Sequence, residues 1–191
     1  MDGGTSWTVA MSPIEDGVSS FTFVDPNVGW HLAGGDIYKT EDAGTSWTKQ
    51  PIAGVEAPEN LAKIFFIDTD TGWAGTWEID TVITTTDGGA TWTQQELIFD
   101  CDSDENPESC VYGYLQGIHF IDALNGWIIL DGDVADLSHP LLKTTDGGLT
   151  WTPQSVGGIG SFNGGGVFFV TPNIGWARRG GKLLKTVDGG N

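Results

Sequence analysis

The sequence predicts an all-β fold made of four tandem units, each of four short antiparallel strands. Three observations predict it. The phrase Thr-x-Asp-x-Gly-x-Ser/Thr-Trp occurs at residues 40–47, 85–92 and 144–151, starts again at Thr186, and shows its second half at the other end of the chain, residues 2–7. A second phrase, Phe-x-Asp/Thr-x-x-x-Gly-Trp, precedes it each time, at residues 23–30, 66–73, 120–127 and 169–176. No stretch carries the helical period of apolar residues. Four-stranded units repeated about every 40–45 residues are the pattern of β-propeller blades.

Each residue type in the first phrase suits a hairpin turn between two strands. Asp2, Asp42, Asp87, Asp146 and Asp188 stand where a carboxylate takes backbone amides two or more residues on. Gly4, Gly44, Gly89, Gly148 and Gly190 supply positive φ. Trp7, Trp47, Trp92 and Trp151 lay apolar surface on the neighbouring sheet. The loss of one such buried Trp costs roughly 3–5 kcal/mol. A carboxylate present in every unit reads as a turn residue, since a catalytic acid is needed once. The second phrase is a strand, a tight turn rich in Pro, Asn, Asp and Gly, and a strand opening on Gly-Trp. In the second unit the strands are expected at about residues 62–68, 72–78, 81–86 and 91–97.

In chain order, residues 1–10 read as a closing strand that supplies the outer strand missing from the last unit. Such an overlap latches a propeller ring and argues against an open solenoid. Blade one spans residues 19–52, blade two 61–97, blade three 98–156 with an insertion at 99–115, and blade four 165–191. Blade three also has a lengthened middle hairpin at 130–140. Residues 2–4 duplicate 188–190, so the ends overlap rather than abut. The chain therefore reads as a window on a longer propeller or as a four-blade protein. Two copies would make an eight-blade ring, and exposed edges would favour self-association.

These residues carry a resemblance. The phrase around Asp42, Asp87 and Asp146 resembles the Asp-box, or bacterial neuraminidase repeat. With the Phe-x-Asp-x-x-x-Gly-Trp phrase, the chain is similar to the photosystem II stability/assembly factor family and its exported bacterial relatives. The resemblance covers nearly the whole chain except the insertion. It implies a β-propeller, a protein partner, and an arginine patch that binds it. Only the run Arg178, Arg179, Lys182 and Lys185 corresponds to such a patch. Asp-boxes also occur on sialidases, xyloglucanases and sorting receptors, so the fold by itself does not name a function.

Composition narrows the partners. The formal net charge over 191 residues is −18, and Arg178 and Arg179 are the sole arginines. That balance disfavours nucleic acid and anionic membranes. No run of about 18 apolar residues spans a membrane. No basic and apolar leader precedes the first turn. The two cysteines, Cys101 and Cys110, fall within one insertion and are expected to form an intraloop disulfide. A bridge implies an oxidising place: periplasm, cell surface or outside the cell. Free thiols and a metal site are the alternatives.

The same loop holds Asp100, Asp102 and Asp104 in alternation, oxygen ligands suited to Ca²⁺. A solvated acidic loop is the competing reading, and no cofactor is required. Trp77 lies outside the repeated positions, beside Glu78 and Asp80 near a hairpin tip. Tyr112 and Tyr114 flank the acidic loop. All three are candidates to stack on a sugar or anchor a peptide. His31, His119 and His139 show no ligand spacing, and His119 is expected to be a hydrogen-bonded strand histidine. These features favour a non-catalytic binding or scaffold module, probing a protein or glycan through loops. The alternatives are a glycoside hydrolase fragment, with two carboxylates about 5–10 Å apart, and a self-assembling element. A sialidase is disfavoured, because two adjacent arginines do not supply a converging cluster.

Overall fold

A computed structural model describes residues 4–7, 17–56, 60–77, 81–97, 114–131, 141–154, 166–179 and 181–190, with Glu96, Asp131 and Arg179 described by main chain alone. Each unit forms one antiparallel sheet in simple up-and-down order. Blade one holds β1 (Val18–Phe23), β2 (Gly29–Ala33), β3 (Asp36–Thr40) and β4 (Thr48–Gln50). Blade two holds β5 (Leu61–Phe66), β6 (Gly72–Thr76), β7 (Thr81–Thr85) and β8 (Thr93–Glu96). Blade three holds β9 (Tyr114–Phe120), β10 (Gly126–Asp131), β11 (Leu141–Thr144) and β12 (Thr152–Gln154). Blade four holds β13 (Val167–Phe169), β14 (Gly175–Arg179) and β15 (Lys182–Thr186) among the described residues. The first strand of each blade packs beside the first strand of the next, so β1, β5, β9 and β13 run along the inner side.

Two strands of blade two are shorter than the sequence suggests, for local reasons. Asp68 leaves its strand because its carboxylate accepts the amides of Asp70 at 2.9 Å and Thr71 at 2.6 Å. Thr91 leaves the outer strand because its amide and hydroxyl both bond to Asp87. The first turn is built alike in the other blades. Asp25 takes the amides of Asn27 and Val28, and Asp122 takes those of Leu124 and Asn125. In blade four a hydroxyl does the same work, with Thr171 accepting from Asn173 and Ile174.

The second turn is held by a threonine and an aspartate together. Thr85 Oγ1 donates to Asp87 and accepts the Gly89 amide at 3.0 Å. Thr40, Thr144 and Thr186 repeat this with Asp42, Asp146 and Asp188. One backbone bond ties the two turns of a blade, as from Gly88 N to Asp70 O at 2.8 Å. The donor adopts positive φ in every blade. Gly88, Gly147 and Gly189 fill that position in three of them, and Ala43, at φ 61°, fills it in blade one.

The core lies between blades, in three clusters of buried side chains. Each joint repeats one aromatic device. Trp30 stacks on Phe66, Trp73 on Phe120 and Trp127 on Phe169, with centroids 3.6–3.7 Å apart and planes within 5°. The stacked Trp belongs to one blade and the Phe to the next. The Phe ring lies across the first glycine of its own blade's second strand. At Gly72 a Cβ would come within 2.5 Å of the Phe66 ring, so only glycine fits there. The Trp indole then reaches the following blade's turn, with Nε1 of Trp30 on Gly88 O at 3.1 Å and Nε1 of Trp73 on Gly147 O at 2.8 Å. The Trp of each second turn plays a lesser part. Trp92 is 3% exposed and edge-on to Phe66, while Trp7 is 89% exposed.

Candidate functional site

Among the described residues, a surface feature with binding geometry begins where β6 ends. Trp77 follows Thr76 and is held by its backbone on both sides. Its amide donates to Asn60 O at 2.8 Å, and its carbonyl accepts from Leu115 N at 2.9 Å. Asn60 itself adopts φ 61°, which turns the chain into β5. This pinning at a blade junction leaves the indole 47% exposed. Tyr114, the first residue of β9, lies beside it at 5.6 Å between centroids and is 43% exposed. Two aromatics from different blades thus form one half-exposed surface.

A groove of about 810 Å³ opens alongside Trp77. One wall is the β2–β3 hairpin of blade one, Gly34-Gly35-Asp36, and Ser19 of β1 and Asn60, Leu61 and Lys63 of blade two also line the groove. The two glycines leave the main chain of that wall unshielded by side chains. Asp36 lies in this wall and is paired with Lys49 at 2.5 Å. Lys63, also in the lining, supplies a cation. The combination is an aromatic anchor, backbone polar groups and one charge of each sign. It suits an extended chain.

The other sequence candidates separate into three groups. Asp42, Asp87 and Asp146 lie in their turns with their oxygens engaged by neighbouring amides and hydroxyls. These bonds hold Asp42 below the ordinary carboxylate value, and those from Thr91 and Thr85 bring Asp87 to about 2. For Asp146, partial burial pushes upward, and the bonds from Thr150 and Thr144 outweigh it. Gly44, Gly89, Gly148 and Gly190 accompany them with positive φ. Trp47, Trp92 and Trp151 pack beside Phe23, Phe66 and Phe120. Arg178 lies exposed on β14, remote in sequence from the groove. Asp2, Glu78, Asp80, Asp100, Cys101, Asp102, Asp104, Cys110, Tyr112 and His139 lie outside the described residues, as do residues 1–3 and 8–10 of the expected closing strand. Among the described residues, no group of three or more His, Cys, Asp or Glu is placed to hold a metal. No helix among them is long and apolar enough to cross a membrane.

His119 binds across a blade junction, with Nε2 2.9 Å from Phe169 O and its ring between Phe65 and Phe168. The nitrogen must be the donor, since the carbonyl only accepts. Burial holds this imidazole below its usual pKa, against the pull of that hydrogen bond. Sequence reading missed the groove itself. Its glycine wall and its Trp77 wall are contributed by different blades, and no local pattern announces their proximity.

No protein-family model and no curated protein matches the chain. Solved structures do. YCF48 bound to a D1 peptide aligns with a TM-score of 0.60 at 17% identity, over 100% of this chain and 70% of that one. YCF48 from Cyanidioschyzon merolae aligns at 0.59 and 18% identity, over 93% of this chain and 57% of that one. The chain has the β-propeller fold. Among enzymes, the GH74 xyloglucanase from Xanthomonas campestris aligns at 0.62 and 12% identity, over 91% of this chain. The chain spans only 28% of that enzyme's length. Identities this low establish a shared propeller architecture, and function rests on the site.

Proposed function

We propose that this propeller is a non-catalytic binding module that takes an extended segment of a protein partner in the Trp77 groove. The observation that carries the reading is the Trp77–Tyr114 pair, half exposed beside an open groove with a glycine wall. Large aromatics of fixed rotamer give contact area at low entropic cost. A propeller of similar fold, YCF48, has been solved bound to a D1 peptide, so this architecture can carry a peptide site. The net charge of −18 favours a segment carrying Lys or Arg, through long-range attraction.

The test is a paired array. Labelled protein and its Trp77→Ala variant are applied to a library of linear peptides and to a panel of glycans. Peptide binding at or below about 100 μM that weakens at least tenfold in Trp77→Ala, and weakens with salt, fits the reading. Binding confined to glycans overturns it in favour of a second reading, a carbohydrate-directed propeller. That reading has the same aromatic pair and the xyloglucanase likeness behind it. Hydrolysis of the bound glycan would make it an enzyme.

Export of the protein, a bridge between Cys101 and Cys110, and Ca²⁺ at Asp100, Asp102 and Asp104 complete the proposal. Alkylation of the unreduced protein tests the bridge, since bridged cysteines take up no label. Calorimetric titration with Ca²⁺ tests the metal.

A further inference from the structure

Among the described residues, the groove beside Trp77 holds one charge without a counter-charge. Two of its lining residues are charged, Asp36 and Lys63. Asp36 is paired with Lys49. Lys63 is half-buried and, among the described residues, makes no ion pair. The other lysines differ from it. Lys39 pairs with Glu41 and lies over the Trp30 ring, while Lys143 and Lys185 lie over Trp127 and Trp176. Lys182 lies exposed at the start of β15. The chain has 26 acidic and 8 basic residues, so carboxylate partners abound, yet this cation in a groove has none among the described residues.

Lys63 owes its place to a bulge. In β5, Leu61 opposes Thr76 and Lys63 opposes Gly75, which leaves Ala62 as the extra residue. Gly75 has no side chain to pair with Lys63 across the strands. Ser20 Oγ accepts the amide of Ile64, the next residue, at 3.2 Å and fastens this stretch to blade one. β1 and β9 carry the same bulge, with Ser20 and Gly117 in the place of Lys63. A residue that the repeat needs recurs, as Asp87 and Trp73 do. Lys63 occurs once, as does Trp77. Trp77 lies two residues beyond Gly75 in sequence. The main chains of the two unrepeated residues are therefore about 7 Å apart along the sheet, the reach of about two residues of an extended ligand.

We propose that the groove selects a segment whose Asp or Glu side chain seats on Lys63, while a large side chain close to it in sequence packs on Trp77 and Tyr114. This inference rests on the groove reading above and adds the chemistry of the segment. The net charge of −18 draws basic segments from a distance, but the contact within the groove has the opposite sign. Long-range attraction governs arrival, and a close charge pair governs which segment stays. The favoured partner carries basic residues outside the groove and one carboxylate within it.

The probe is a random library of linear peptides, acetylated and amidated at their ends so that every carboxylate belongs to a side chain. Peptides selected on the unchanged protein should share an Asp or Glu about two or three residues from a large apolar or aromatic residue. Replacing that acid by its amide, which leaves the protein's fold untouched, should weaken binding about tenfold, and so should Lys63→Met. The two changes together should cost little more than either alone, because they remove one contact. Lys63→Arg keeps the charge and should bind as the unchanged protein does. Selection on Lys63→Glu should return Lys or Arg at the same place. Acid-free peptides whose binding is lost in Trp77→Ala and unchanged in Lys63→Met overturn the proposal and leave the groove reading standing. A library that yields no binder dependent on Trp77 overturns both.

Discussion

The indole of Trp73 lies flat on the ring of Phe120, 3.6 Å between centroids and 5° between planes, and ties blade two to blade three. Its Nε1 also reaches Gly147 O at 2.8 Å. Trp73→Ala removes a stack, a hydrogen bond and a filled volume in one step. The expected loss is about 3–5 kcal/mol, read as a lower urea midpoint. Leu149→Ala, at a side chain 64% exposed, should change the midpoint by less than about 0.5 kcal/mol. Equal effects from the two would mean that the stacks do not hold the blades together.

Gly72 and Phe66 form a second coupled pair. The Phe66 ring is pinned between the Gly72 main chain on one side and Trp30 on the other. Gly72→Ala drives a methyl into that ring, and the ring has nowhere to retreat. A cost of about 1–3 kcal/mol is expected. Adding Phe66→Leu should make the double variant less destabilised than the sum of the singles, because the clash is gone. Strict additivity would show that the methyl is accommodated elsewhere.

Ala43 is the residue that departs from glycine at a left-handed position shared by all four blades. Ala43→Gly relieves that conformation and should stabilise by up to about 1 kcal/mol, the gain reduced by the freer unfolded chain. Gly88→Ala should do the reverse and more, since its Cβ would stand 2.8 Å from Thr69 O. Thermal melts of the two variants decide it; a destabilised Ala43→Gly would contradict this account.

The propeller was legible because its turns are chemical and local. Asp at one position and Thr two residues before it define a hydrogen-bond set that a sequence displays directly, as in Thr85 and Asp87. The joints were less legible. The Gly-Trp phrase was visible at Trp30, Trp73 and Trp127, but its role depends on Phe66, Phe120 and Phe169 of the following blade. A phrase shows its own strand and not the surface that the next strand brings. The same holds for the groove. Trp77 stands out as unrepeated, and Tyr114 becomes its neighbour only because the residue after β6 meets the start of β9 across the blade junction. His31 gave no signal at all. It is 2% exposed, stacked on Tyr38 and edge-on to Trp47, in a register position that holds Ala74 in the next blade.

The aspartate turns set the acid limit of the fold. Asp87 titrates at about 2 because the hydroxyl and amide of Thr91 and the hydroxyl of Thr85 bind its charged form. The unfolded chain lacks these bonds, so its carboxyl returns to 3.8. A folded value below the unfolded one means that the unfolded state takes up protons first. The contribution is therefore whole above pH 3.8 and disappears as the pH falls from there through about 2. Asp42 and Asp146 are lowered in the same direction, so the effect repeats along the chain. Thermal melts taken in steps from about pH 5 to about pH 2 should show the midpoint falling across this window. Asp87→Asn should melt lower at neutral pH and lose less on acidification, its curve converging on that of the unchanged protein near pH 2. Two curves that stay parallel throughout would mean that Asp87 does not stabilise the fold through its charge.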